Sequence, residues 1–214
     1  MLGLIGKKIG MTAIFDDEGK RIPVTVIQAG PCPICQIKTA ENDGYFSLQL
    51  AFEPAKKRVT KPLLGHFKRA NIPPHKHLFE FRVSPQEIKG KKVGEVLTLE
   101  IFSEGEKIDC TGISKGKGFK SAIFRHHFGG GPKTHGQSDR ERAPGSIGAS
   151  SFPSRVFRGQ RMAGHMGNVR VTVKNLTIAR VIPEKSLVLV NGAVPGPRGA
   201  IVILKKRNVY AGPS

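Results

Sequence analysis

Three sets of residues in this sequence have types and spacings that could carry chemistry, and the first resembles a metal site. His135 precedes Asp139 by four residues and Glu141 by six, a combination of nitrogen and oxygen ligands that suits a divalent ion in a nuclease. The three residues lie in a glycine-rich segment whose backbone does not hold their side chains on one face. Arg140 and Arg142 alternate with the acids and compensate their negative charge. We therefore predict no metal site and no catalytic residue. A metal-dependent RNA nuclease at His135 is the enzymatic alternative.

The other two sets are a cysteine pair and a glycine-rich run. Cys32 and Cys35 have the spacing of half a zinc site, but no second Cys or His pair follows at finger-like spacing, and Cys110 stands alone. The run Gly112–Gly118 suits a phosphate but lacks the four-residue spacer and the Lys-Ser/Thr ending of a nucleotide-binding loop. We predict no cofactor and no small-molecule substrate.

The charge of the chain predicts a polyanionic partner. Its 214 residues include 35 Lys and Arg against 16 Asp and Glu, which gives a net charge of +19. A nucleic acid gains affinity from each neutralised phosphate, whereas a membrane surface also needs an amphipathic helix or an apolar anchor. No stretch approaches the roughly 18 apolar residues of a membrane-spanning helix, and the first residues lack the order of a signal peptide. We expect a cytoplasmic protein without a membrane partner.

The charge is concentrated in one segment of unusual composition. Between Lys115 and Arg170, eleven basic residues minus two acidic ones give +9. Glycines recur through the segment, and five phenylalanines could stack or pack there. Loops this long are either functional or disordered, so the alternative is a solvated charged loop. The combination of charge, glycine and aromatic residues favours contact with RNA.

The sequence of the rest of the chain predicts many short strands, interrupted by one insertion. Alternating apolar residues predict the strands, and the clusters at 16–19 and 42–44 predict hairpin turns. Pro62 predicts the start of a helix over Leu63–Ala70 within the insertion. The predicted strands are Met11–Phe15, Lys20–Gln28, Ile34–Thr39, Tyr45–Phe52, Leu78–Val83, Val93–Phe102, Val169–Val173, Leu176–Val181, Leu187–Asn191 and Ala200–Lys205. Short strands at this spacing suggest a closed barrel.

Several blocks in a fixed order carry a family resemblance. They are Thr111–Phe119 (TGISKGKGF), Thr134–Gly136 with Pro144–Gly148 (PGSIG), Val156–Gly167 (VFRGQRMAGHMG), the opening Gly3–Thr12 (GLIGKKIGMT), and Val59–Pro62 with Gly65–Phe67. Together they resemble bacterial-type ribosomal protein L3 of the large subunit, over essentially the whole chain.

The resemblance implies a mainly β fold: a Greek-key-type β-barrel of the translation-protein kind, with an inserted small α+β lobe and a long glycine-rich basic extension. On this reading the barrel is formed by residues 1–30, 93–118 and 162–214, the lobe by 31–92, and the extended loop by 119–161. The inner part of the extension is expected from about Ser146 to Phe157.

The resemblance also implies a function and partners. The family is a structural constituent of the large subunit that binds its rRNA near the 3′ end, promotes early assembly, lies beside other subunit proteins and extends toward the peptidyl transferase centre. A non-ribosomal RNA-binding assembly factor is the alternative. The predicted RNA contacts are Lys7, Lys8, Lys115, Lys117, Lys120, Arg125, His126, Lys133, His135, Arg140, Arg142, Ser146, Arg155, Phe157, Arg158, Arg161, His165 and Arg170.

Overall fold

The computed structural model describes residues 2–55 and 58–207. These residues form two compact units, one running up to Ile113 and again from Arg170, the other comprising Ser114–Val169. No helix within the described ranges is long and apolar enough to cross a membrane.

Strands dominate the described residues, so the predicted mainly β fold is confirmed. The strands are β1 (Gly3–Phe15), β2 (Arg21–Ala29), β3 (Cys32–Lys38), β4 (Ser47–Pro54), β5 (His75–Arg82), β6 (Val96–Leu97), β7 (Lys107–Ile113), β8 (Gly118–Lys120), β9 (Gly164–Met166), β10 (Arg170–Ile182), β11 (Leu187–Asn191) and β12 (Ile201–Lys206). The helices are α1 (Ala40–Asp43), α2 (Lys61–Arg69), α3 (Pro85–Ile88) and α4 (Ala122–His126), with 3₁₀ turns at Leu99–Ile101 and Pro183–Lys185.

Six antiparallel strands of the first unit close a barrel in the order β1-β12-β7-β10-β11-β2. The ring closes between the two ends of the chain, where Gly3–Lys7 pairs with Ile201–Lys205. The β1–β2 hairpin turns at Asp16, whose amide donates to the Lys20 carbonyl at 3.1 Å. Over these paired residues, closure removes the sheet edges that would otherwise be open to unwanted pairing.

A four-stranded sheet in the order β5-β4-β3-β6 forms the inserted lobe. Helix α2 carries Pro62 in its first turn and buries Phe67, which packs with Cys35 and Ala51. The main core is shared between barrel and lobe, since Phe81 of β5 and Leu204 of β12 are fully buried in one cluster. Burial of such large apolar side chains is the principal stabilising contribution in the first unit.

The structure refines the expected elements at several points. The predicted strand Val93–Phe102 is wrong, because only Val96–Leu97 forms a paired strand there and a 3₁₀ turn follows at Leu99–Ile101. The predicted second hairpin is confirmed, since β3 pairs with β4, but its connection is longer than a tight turn and contains α1, which Gly44 terminates in the left-handed conformation. Strand β7 was not predicted. The two predicted strands between Val169 and Val181 are one strand, β10, with a register shift after Val173.

Candidate nucleic-acid interface

The second unit is organised at its base by a short two-stranded ladder. Strand β8 pairs with β9, and Phe119 lies opposite His165. At the turn beside the ladder, Gly167 adopts a φ of +74°, and a Cβ there would overlap the Lys115 carbonyl oxygen. Only glycine permits this close approach with that backbone conformation. The base therefore holds Lys115 and Lys117, both exposed, in a defined position.

The short helix α4 follows the ladder and carries both cationic and aromatic side chains. The Nζ atoms of Lys117 and Lys120 lie 5.5 and 5.2 Å from the Phe124 ring centroid. Nη1 of Arg125 donates to the Met162 carbonyl at 3.3 Å and so connects the helix to the chain returning toward β9. Half of the Phe124 surface remains exposed, which leaves a ring face and two ammonium groups side by side.

The loop between α4 and β9 has few internal contacts. The Gly131 amide donates to the Glu141 carbonyl at 3.0 Å, and the Ala143 amide to the Arg140 carbonyl at 3.1 Å. Further along, the Arg155 guanidinium lies 5.9 Å from the Phe157 ring centroid. These contacts form local turns, and none of them buries a large apolar side chain.

The second unit has almost no core of its own. In Ser114–Val169, a range that the structure describes throughout, Ala122 alone is buried. Large apolar side chains such as Phe119, Phe152 and Phe157 are exposed. Ordering a chain costs conformational entropy that apolar burial normally offsets. A segment this exposed needs an external packing partner.

Most of the predicted RNA contacts lie in this exposed unit. Lys120 and His126 are half-buried, and the others are exposed. These exposed residues are Lys115, Lys117, Arg125, Lys133, His135, Arg140, Arg142, Ser146, Arg155, Phe157, Arg158, Arg161 and His165. The unit thus presents ten Lys or Arg against Asp139 and Glu141. Lys133 is 3.8 Å from Glu141, an exposed pair that contributes little stability.

The remaining three predicted contacts lie on the barrel in different settings. Lys8 is buried, and its Nζ donates to the carbonyls of Val194 and Gly196 at 2.7 and 3.1 Å. Lys7 forms an ion pair of 2.9 Å with Glu53. Arg170 is exposed at the start of β10. The three residues therefore differ in how readily they could reach a phosphate.

A neighbour of Arg170 was missed by the sequence reasoning. Arg170 lies 5.6 Å over the Phe79 ring, and Lys205 lies 6.0 Å from the Phe81 ring centroid. Burial and the nearby Arg170 charge lower the pKa of Lys205 below its usual value. Because Arg170 and Lys205 repel each other, an anion bound near them would stabilise both positive charges. No sequence signal marks the pair, because β10 and β12 are brought together only by the barrel.

The described residues include possible metal ligands and three buried cysteines. Among residues 2–55 and 58–207, no three His, Cys, Asp or Glu side chains come together as a metal site. Burial raises the pKa of Cys32 and Cys110 to about 12 and that of Cys35 to about 11. Buried thiols of this kind are inert.

Comparison with known proteins shows the family. A family model described as ribosomal protein L3 matches residues 87–186. The large ribosomal subunit protein uL3 of Chlorobium phaeobacteroides is 52% identical over 203 residues, covering 94% of this chain and 97% of that protein. The protein of the same name from Chloroherpeton thalassium is 50% identical over 203 residues, covering 94% and 96%. Because the similarity runs through nearly the whole chain, this protein belongs to the ribosomal protein L3 family.

Proposed function

We propose that this protein is a structural constituent of the large ribosomal subunit whose second unit is embedded in rRNA. The L3 family is a structural component of the ribosome and not a family of enzymes. The observation that carries the proposal is the combination within Ser114–Val169 of ten basic side chains and a single buried residue. As a ribosomal protein it is expected in the cytoplasm, with rRNA and other ribosomal proteins as partners.

Folded RNA supplies what the second unit lacks. Lys and Arg neutralise phosphates and release counterions, while the glycine-rich backbone passes between helices that are too close for bulky residues. Exposed rings such as Phe152 and Phe157 are suited to stack on unpaired bases. Phosphate contacts position such an extension, and shape and 2′-hydroxyl contacts select its RNA.

The finer assignments rest on the family resemblance. We propose that residues 119–161 form the extension, that Ser146–Phe157 reaches furthest inward, and that it approaches the peptidyl transferase centre. We also propose direct binding near the 3′ end of large-subunit rRNA and a role in early assembly. The bond-forming chemistry of the ribosome then belongs to the RNA, and the protein contributes positioning.

The test is stoichiometric retention in mature particles. Large subunits are purified, washed at increasing salt and analysed by quantitative mass spectrometry. We expect one copy of this protein per subunit, retained at salt concentrations that remove loosely bound proteins. A copy number far below one, or loss in the first wash, would instead support the assembly-factor alternative.

The nuclease alternative has its own test. It requires RNA cleavage that depends on a divalent metal and disappears in His135→Ala. We expect intact RNA with the wild-type protein and the variant alike, in magnesium or manganese.

A further inference from the structure

The β1–β2 hairpin leaves one edge of β1 unpaired. On its β12 side, β1 pairs over Gly3–Lys7, and the ladder ends where the Lys8 amide and carbonyl bond the turn that precedes β12. On the other side, pairing with β2 continues to Phe15. Among the residues that the structure describes, no strand lies beside β1 on the β12 side after Lys8.

The ladder geometry shows which backbone groups face this edge. Ala13 lies opposite Pro23, which has no N–H and whose carbonyl accepts from Gly192 on the far side of β2. Bonded and non-bonded pairs alternate in antiparallel ladders, so Ala13–Pro23 is a non-bonded pair. The N–H and C=O groups of Met11, Ala13 and Phe15 therefore point away from β2, toward the open edge.

Apolar side chains accompany the open edge. Phe15 is 71% exposed, Met11 54% and Ile9 40%. Shallow depressions flank Met11, one of them lined also by Ala13 and Arg21. An exposed strand edge with apolar side chains is an aggregation hazard unless a partner covers it.

The charge of the hairpin favours a protein over RNA as that partner. Its turn carries Asp16, Asp17 and Glu18, and residues 9–26 contain three acids against two bases in a chain of net charge +19. The three acids lie together in the turn, where they repel phosphate and attract a basic partner, whereas Arg21 and Arg198 lie beside Met11. The edge also offers donors and acceptors in alternation, which a polypeptide strand matches and which phosphate oxygens, being acceptors only, do not.

We propose that the Met11–Phe15 edge docks an extended strand of another basic protein by β-addition. Apolar side chains of that strand cover Met11 and Phe15, and Lys or Arg next to them faces the acidic turn. That both proteins lie in one large subunit rests on the function proposed above, whereas the docking surface does not.

Site-specific photo-crosslinking tests the proposal. Benzoylphenylalanine replaces Phe15 in the full-length protein in cells, and Val93, which is 46% exposed in the same unit, is the control position. After irradiation, large subunits and the remaining lysate are analysed separately by mass spectrometry. We expect a crosslink from position 15 to a strand-forming segment of an identified protein of net positive charge, and not from position 93.

Other outcomes overturn the docking proposal. They are a crosslink to RNA, a crosslink to a second copy of this chain, the same partner at both positions, or no crosslink in either fraction. If the protein is absent from large subunits, the proposed function fails, while the crosslink in the lysate still reports what occupies the edge.

Matched variants separate β-addition from mere proximity. Ala13→Pro removes one outward N–H without touching the β1–β2 ladder, and Ala13→Val keeps it. We expect crosslinking from position 15 to fall about tenfold in Ala13→Pro, the equilibrium factor of one lost hydrogen bond, and to persist in Ala13→Val. Met11→Asp keeps every backbone hydrogen-bonding group but replaces an apolar side chain that the docked strand covers. It should therefore also reduce crosslinking from position 15. Unchanged crosslinking in folded Ala13→Pro and Met11→Asp, with folding checked by circular dichroism, contradicts the proposal.

Discussion

Deletion of the basic loop gives the sharpest test of RNA embedding. Replacing residues 121–163 with a short glycine-serine turn joins Lys120 to Gly164, which are paired neighbours in the β8–β9 ladder. The deletion removes seven Lys or Arg and two acids. Because Ala122 is the one buried residue in Ser114–Val169, we expect the unfolding free energy to change by less than about 1 kcal/mol, which corresponds to about 4 °C in Tm.

The expected effect on RNA binding follows from counterion release. Each phosphate contact contributes about −0.7 to −0.9 to the slope of log affinity against log salt, so losing seven contacts makes the slope shallower by about 5 to 6. Between 50 and 200 mM salt, the wild type should therefore lose roughly 1,000-fold more affinity than the deletion variant. Fluorescence anisotropy with fragments of large-subunit rRNA measures both slopes.

A control variant separates the loop from net charge. The deletion lowers the net charge by five, and the control lowers it equally through five exposed lysines outside the second unit. These lysines, each changed to Gln, are Lys20, Lys61, Lys68, Lys89 and Lys92. We expect the control to retain a slope within about one of the wild type. Equal slope changes in both variants would refute the reasoning, because binding would then depend only on total charge.

Three further predictions concern the buried cysteines, Gly3 and Lys8 of the first unit. The cysteines should not react with Ellman's reagent at pH 8 in the folded protein and should react fully in guanidinium. Burial raises the pKa of these thiols to about 11 or 12 in the folded protein. Their contribution to the free energy of unfolding should therefore be complete below pH 9 and be lost as the pH rises toward 12, which denaturant titrations at several pH values would measure. Gly3→Ala would place a Cβ against the Leu204 carbonyl inside the barrel, so its Tm should fall well below that of the control Gly65→Ala, where a Cβ meets nothing. Lys8→Met leaves two carbonyls without the ammonium that bonds them, and it should lower the free energy of unfolding by about 2–3 kcal/mol, or the Tm by about 4–12 °C. The salt slope of RNA binding should stay unchanged. A shallower slope would instead show that Lys8 contacts a phosphate.

The local sequence pattern predicted those elements in which the apolar residues of the pattern are the buried ones. In β4, Leu48 and Leu50 alternate onto the core, and α2 carries in its first turn the proline that predicted it. Strand β7 escaped detection because its sequence, KIDCTGI, contains few apolar residues, although Ile108 and Cys110 are buried between two partner strands. The prediction for Val93–Phe102 was wrong because its apolar residues do not alternate onto one face: Val93 and Val96 are exposed, and Leu99 is buried from a 3₁₀ turn.

The sequence predicted which segment forms the candidate site, but not the tertiary contacts of its individual residues. Charge and glycine content marked Ser114–Val169 without any tertiary information. The close approach of Gly167 to Lys115, the bonds of Lys8 to carbonyls more than 180 residues away, and the pairing of Arg170 with Lys205 all arise from long-range contacts. Such contacts have no periodic signature in the chain.

The pairing of β1 with β12 has a consequence for biosynthesis. Gly3 of β1 pairs with Lys205 of β12, so the barrel cannot close until β12 has been synthesised, long after β1. Until then the edge of Gly3–Lys7 that β12 covers is unpaired, and the basic loop of the second unit, which precedes β12 in the chain, has already been synthesised. Unpaired strand edges of this kind favour misassembly during folding, so early binding of a chaperone or of another partner would protect the nascent chain.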